Sequence, residues 1–178
     1  MAKKSKSAQI YLVWGLMRIS LGLIFLWAFF DKLFGLGLTT CRDAKSGVVE
    51  VMCSQAWLQG GSPTTGFLKF GTQGPLSGFY QGMIGNSFVD WLFMLGLLLI
   101  GSALVLGIGV RIAVVTGSAL LLMMYSAVLP PEHHPFLDDH IVYILILVGV
   151  FMTNQNQRLG LRNWWVNQRL VQRLPILE

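Results

Sequence analysis

Residues 10–38 read IYLVWGLMRISLGLIFLWAFFDKLFGLGL, a stretch whose only charged side chains are Arg18, Asp31 and Lys32. A hydrocarbon core is crossed by roughly 20 helical residues, so this segment alone is long enough to span a bilayer. It is about twice the length of a signal-peptide core and lacks a small-residue cleavage site, which predicts that it is retained as a first transmembrane helix. Three further apolar stretches follow, over 87–106, 111–129 and 139–154, the last short enough to need a thin bilayer or anchoring residues. Of the 178 residues, 54% are hydrophobic, and the mean hydropathy is +0.62. A water-soluble domain of this size is far less apolar.

Backbone groups in lipid find no water, so spans are helices or closed barrels, and continuous apolar runs exclude the alternation of barrel strands. The predicted fold is therefore all-α, an integral membrane four-helix bundle forming one domain over residues 1–178. It has a long extracytoplasmic loop over 39–86 and a cytoplasmic amphipathic segment over 155–178. Lys3, Lys4, Lys6, Arg111, Arg158, Arg162, Arg169 and Arg173 fall on one side of the predicted spans, against Arg42, Lys45 and Lys69 on the other. Basic residues favour the cytoplasm, which predicts a multi-pass protein of the plasma membrane with both termini inside. The net charge of +5 then meets anionic lipid headgroups. No nucleic-acid-reading module is visible.

Spacings of three, four and seven put Gly15, Arg18, Gly22, Phe25, Phe29 and Lys32 on one face of the first helix, where glycines allow a neighbouring helix to come close. Ala113 and Gly117 give the third span a weaker signal of the same kind. Gly107, Ile108 and Gly109 read as a tight hairpin, and Pro130 and Pro131 end the third span. The loop over 39–86 is too aromatic for a disordered linker; short helices and turns near the membrane surface are expected. In the C-terminal segment, apolar residues recur at Leu159, Trp165, Leu170 and Leu174, the pattern of an amphipathic helix on the cytoplasmic leaflet.

Cys41 and Cys53 lie in the outer loop, on the oxidising side of a bacterial plasma membrane. A structural disulfide is the leading reading. A working redox pair would lack the C-x-x-C spacing that tunes a thiolate, and two free thiols are the third possibility.

With the termini inside, residues 132–143, EHHPFLDDHIVY, reach the outer end of the bundle together with Asp31, Lys32 and Asp90. Asp138 or Asp139 suits an N-cap of the fourth helix, and Asp90 could serve the second in the same way. Capping does not account for His140 and Tyr143, which share a helical face and carry a titratable ring and a phenol. His133, His134 and His140 have donors for zinc or iron, but their spacing matches no compact ligand pattern. No haem, flavin or iron–sulfur motif is present. Arg18, about two turns into its span, calls for a partner or a route to the headgroups, because an arginine costs ~2.5–3.5 kcal/mol on insertion scales. Snorkelling is one reading; donation to backbone carbonyls, lipid phosphate or a ligand oxygen is the other.

At these residues the chain resembles the DoxX family, most closely the DoxD-like subunits of thiosulfate:quinone oxidoreductase. The resemblance is carried by RISLGLIFLWAFFDKLFGLG over 18–37, SPTTGFL over 62–68, VDWLFMLGLLLIGSALVLGIGVRIA over 89–113 and PPEHHPFLDDHIVYILILVGV over 130–150. It puts Arg18, Lys32, Asp90, Arg111, Asp138 and His140 on family-like positions. Where the family pattern before the fourth helix runs Asn-Pro, acidic residues and His, His134 takes the Asn place and Asp139 a place often filled by Glu. His133, His134, Cys41 and Cys53 are not carried over. The resemblance implies a four-helix membrane subunit linked to quinone or thiol redox chemistry.

Two functions from different classes follow. The first is a subunit that passes electrons from thiosulfate or another reduced sulfur compound at the outer face to quinone. Proton chemistry would fall to His140, Tyr143, Asp138, Asp139 and Asp90, and ligand binding to Arg18, Lys32 and Arg111; electrons would need a partner subunit or the cysteine pair. The second is a non-enzymatic scaffold that binds a partner subunit, or a copy of itself, through the outer loop. A transporter fits less well, since four short spans without a repeat leave little room for alternating access.

Overall fold

The first helix, α1, runs unbroken over Ala2–Phe34, with no proline inside it. It stops at Gly35, whose φ of 69° is the left-handed conformation that ends helices. Residues 35–38, expected in the span, therefore lie outside it. The structure, a computed structural model, describes residues 2–131, 134–154 and 159–177, with side chains from Ser7 onward. Glu132, His133, Arg158 and the side chains of Lys3, Lys4 and Lys6 lie outside the described residues.

The short helix α2 covers Ser77–Gln81 and precedes α3, Ser87–Leu106. Asn86 caps α3 by accepting from Phe88 N at 3.0 Å, the role for which Asp90 was considered. Gly107 (φ 73°) ends α3 and Gly109 (φ 58°) precedes α4, Val110–Ala127, so the hairpin is built on left-handed positions that β-branched residues could not occupy without strain. The last apolar helix, α5, covers Asp139–Thr153. Among the described residues, three helices are long and apolar enough to cross a membrane: Ser7–Phe34, Ser87–Leu106 and Val110–Ala127. At 15 residues α5 is apolar but shorter.

Each of these three helices buries only 33% of its most apolar window, leaving side chains such as Leu12, Leu23, Trp27, Leu95, Leu99 and Val115 exposed. Soluble monomers rarely expose apolar patches above a few hundred Å², and this outward apolar surface is that of a membrane protein.

α1 packs against α3 and α5, and α4 also packs against α3 and α5, around a core that includes Leu21, Phe25, Phe29, Met94, Leu104 and Leu147. A Cβ at Gly22 would come within 2.9 Å of Gly101 O, and one at Gly101 within 3.0 Å of Gly22 O. The α1–α3 interface is thus a backbone-on-backbone approach permitted by two glycines. One end of the molecule gathers Asp31, Asp90, Asp138 and Asp139; the other gathers Arg18, Arg111 and the C-terminal segment. They are called here the acidic and basic ends.

The loop between α1 and α2 carries a disulfide between Cys41 and Cys53 and an antiparallel bridge between Arg42 and Val49. Short helical turns follow at Trp57–Gln59, Phe67–Gly71 and Gly74–Leu76. No strand beyond that bridge occurs among the described residues. The C-terminal segment differs from the single amphipathic helix expected: it breaks into α6, Arg162–Trp165, and α7, Arg169–Arg173, then a turn at Pro175–Leu177. Gln168 adopts extended backbone (φ −72°, ψ 137°) between α6 and α7. The pieces fold back on the helix ends instead of extending along a surface.

Candidate functional site

At the start of α5, Asp138 uses its two oxygens differently. Oδ1 accepts from Ile141 N at 3.3 Å, capping the helix, while Oδ2 meets His140 Nδ1 at 2.6 Å. Capping and pairing with histidine therefore coexist in one carboxylate. With a carboxylate as acceptor, Nδ1 is the donor, and a neutral His140 then presents Nε2 as its proton acceptor. Both side chains are partly exposed, at 20% for His140 and 15% for Asp138. Asp139, exposed in the first turn, sits at the positive helix end and makes no side-chain hydrogen bond or ion pair among the described residues.

Tyr143 lies one turn further into the helix. It packs on the core and lines a cleft of about 250 Å³ between α1 and α5, together with Leu16, Met17, Ser20, Ile24 and Ile146. Leu16 and Ile24 are also about half exposed on the lateral surface, so the cleft opens sideways along the apolar face. It is an open groove smaller than the ~300–1,000 Å³ of small-molecule sites, and its lining is apolar apart from Ser20 and Tyr143.

Asp90 serves another purpose. It is 8% exposed, and its Oδ1 accepts from Ser62 Oγ at 2.9 Å and Thr64 Oγ1 at 2.5 Å. The SPTT segment is thereby tethered to the first turn of α3, beside an edge-on contact of Trp57 and Trp91 with centroids 4.7 Å apart. No hydrogen bond joins Asp90 to the Asp138–His140 pair among the described residues, and α3 and α5 stand at opposite corners of the helix arrangement.

Asp31, fully buried, accepts from Leu38 N at 2.8 Å, Thr39 N at 3.1 Å and Thr39 Oγ1 at 3.0 Å. Lys32 Nζ reaches the same Thr39 hydroxyl at 3.0 Å. Together they fold the chain back over the end of α1. Further along, Tyr80 donates to Met123 O at 3.0 Å and meets Ser126 Oγ at 2.5 Å, docking α2 on the end of α4. The loop-anchoring roles of Asp31, Ser62, Thr64 and Tyr80 carry no sequence signal beyond polarity in an apolar chain.

The other two residues expected to bind ligand lie at the basic end. Arg18, 1% exposed, donates to Leu104 O, to Val105 O at 3.5 Å and to Leu159 O at 2.8 Å. It closes the C-terminus of α3, where carbonyls lack helical partners and a cation opposes the negative dipole end. Arg111 Nη1 donates to Pro175 O at 3.1 Å. Both guanidinia hold backbone and are remote from the Asp138–His140 pair.

His134 Nδ1 accepts from Phe136 N and Leu137 N, each at 3.1 Å, so that lone pair is engaged in the loop. No group of three or more metal-ligating side chains occurs among the described residues. In the loop between α1 and α2, the Asp43 carboxyl is held below the usual carboxylate range by the Ser46 backbone N–H, aided by the Ser46 hydroxyl and the Lys45 N–H.

Comparisons with protein-family models, with curated proteins and with solved structures return no match.

Proposed function

We propose that this chain is a membrane subunit of a quinone-linked oxidoreductase, built as a four-helix bundle in the plasma membrane. α5 is its fourth span, the termini are cytoplasmic and the acidic end faces outward. The observation that carries the reading is the Asp138–His140 pair, one helical turn along α5 from Tyr143, which itself lines an apolar cleft between α1 and α5.

Quinone reduction takes up two electrons and two protons, so its site needs an apolar slot reached from the bilayer and proton donors near the ring oxygens. The lateral opening suits the slot. His140, oriented by Asp138, and the Tyr143 hydroxyl suit proton delivery. Oxidation of a reduced sulfur compound such as thiosulfate at the acidic end would release the electrons, passed on through a partner subunit or the Cys41–Cys53 pair. Exposed Arg42 and Lys69, with Lys32 nearby in sequence to the Asp31 turn, give that end cations to attract an anion.

The test is turnover with a soluble quinone, with folding in membranes followed in parallel. His140→Ala, Asp138→Asn and Tyr143→Phe each lower turnover by 10-fold or more, within the ~10²–10⁴-fold range of general acid–base contributions or just below it, while the protein stays folded. Wild-type turnover in all three removes the catalytic reading. A quinone-free protein recovered with a stoichiometric partner chain replaces it with the scaffold.

A further inference from the structure

Three hydrogen bonds tie the C-terminal segment to the helix ends, and a fourth closes it on itself. Leu161 N donates to Leu106 O, the last residue of α3, at 2.7 Å. Arg18 holds Leu159 O at 2.8 Å, Arg111 holds Pro175 O at 3.1 Å, and Trp165 Nε1 donates to Leu177 O at 2.6 Å. The segment is thus tied across the basic end, level with the end of a 20-residue apolar helix. A helix of that length matches the hydrocarbon core, which puts the segment at headgroup depth.

At that depth the segment presents two kinds of surface. Val171 is turned inward at 1% exposed, whereas Trp164, Leu170 and Ile176 are 57%, 60% and 66% exposed. The side chains of Arg169 and Arg173, one helical turn apart and both exposed, make no hydrogen bond or ion pair among the described residues. Among the described residues of 7–30, 91–131 and 140–177, which build this end, no acidic side chain faces these cations; Glu178 lies outside the described residues.

We infer that residues 159–177 form a docking platform for anionic phospholipid of the adjoining leaflet. The lipid phosphates meet Arg169 and Arg173, and Trp164, Leu170 and Ile176 enter the border of the acyl region. Charge complementarity and depth select this occupant: a free phosphate leaves the apolar side chains in water, and a zwitterionic lipid leaves the net positive field unopposed. The Arg18 and Arg111 bonds hold the platform in place beforehand, so lipid binding does not have to order the segment. This inference makes no use of the quinone cleft.

The experiment is native mass spectrometry of the full chain in mild detergent, titrated with phosphatidylglycerol or with phosphatidylcholine of the same acyl chains. Each basic residue near an anionic surface strengthens attraction by about fivefold, so R169Q/R173Q weakens phosphatidylglycerol binding about 25-fold and leaves phosphatidylcholine binding unchanged. R169K/R173K, which keeps the charge, stays within about twofold of the wild type. Inorganic phosphate at the lipid's concentration does not compete. Equal affinity of the wild type for the two lipids overturns the proposal. So does unchanged phosphatidylglycerol binding in the glutamine variant, loss of binding in the lysine variant, or displacement by inorganic phosphate, which would assign a free-anion site instead.

Discussion

Replacing Arg18 separates insertion from folding. The guanidinium bonds Leu104 O, Leu159 O and, at a long 3.5 Å, Val105 O. A hydrogen bond to a charged group contributes ~1.5–3 kcal/mol, so the two shorter bonds together give ~3–6 kcal/mol. Helices parted within a membrane still find other partners, which lowers such values, and about 3 kcal/mol is expected for Arg18→Leu. Insertion moves the other way, easing by ~2.5–3.5 kcal/mol once the charge is removed. Arg18→Lys keeps one bond of the two, because an ammonium cannot span both carbonyls as the planar fork does, and loses about half as much stability. The assay is detergent-driven unfolding of the full chain in mixed micelles, followed by circular dichroism. Alongside it, the rate of tryptic cleavage after Arg162 and Arg169 reports release of the C-terminal segment. Arg18→Leu unfolds with an equilibrium constant on the order of 100-fold larger and is cut faster in the tail. An unfolding curve and cleavage rate equal to the wild type's would refute the cross-brace and return Arg18 to snorkelling.

Asp90→Ala leaves the Ser62 and Thr64 hydroxyls without their acceptor and destabilises by about 2 kcal/mol, with a change in near-ultraviolet dichroism as Trp57 leaves Trp91; Asp90→Asn retains an acceptor and loses less. The depressed Asp43 carboxyl stabilises its turn at pH above the unfolded value of ~3.9 and ceases to do so as pH falls through the lower folded value. The Ser46 amide resonance should accordingly keep its bonded position at about pH 4 and move below it, and lose that position at neutral pH in Asp43→Ala. A membrane-impermeant maleimide applied to intact cells labels Cys41 or Cys53 only after reduction; labelling confined to lysed cells would place the acidic end inside.

The apolar helices were legible from composition and run length, because a segment with no water to satisfy its backbone has helix as its main recourse. Gly107 and Gly109 announced the hairpin at 107–109, and the structure gave both a left-handed φ, which only a residue without Cβ adopts freely. The disulfide between Cys41 and Cys53 was the leading of three readings, and sequence spacing alone did not choose among them. Tertiary structure decided what the polar residues do. Asp90 suited a helix cap by position, yet the return of the SPTT segment, 26 to 28 residues away in sequence, made it a tether and left capping to Asn86. Arg18 showed only that it needed a partner; the carbonyls that hold it lie 86, 87 and 141 residues further on. A single apolar period cannot record such pairings. Burial gives hydrophobic positions a face and a period, whereas a polar group in a dry interior is satisfied by whichever partner the packed helices bring within 3 Å or so.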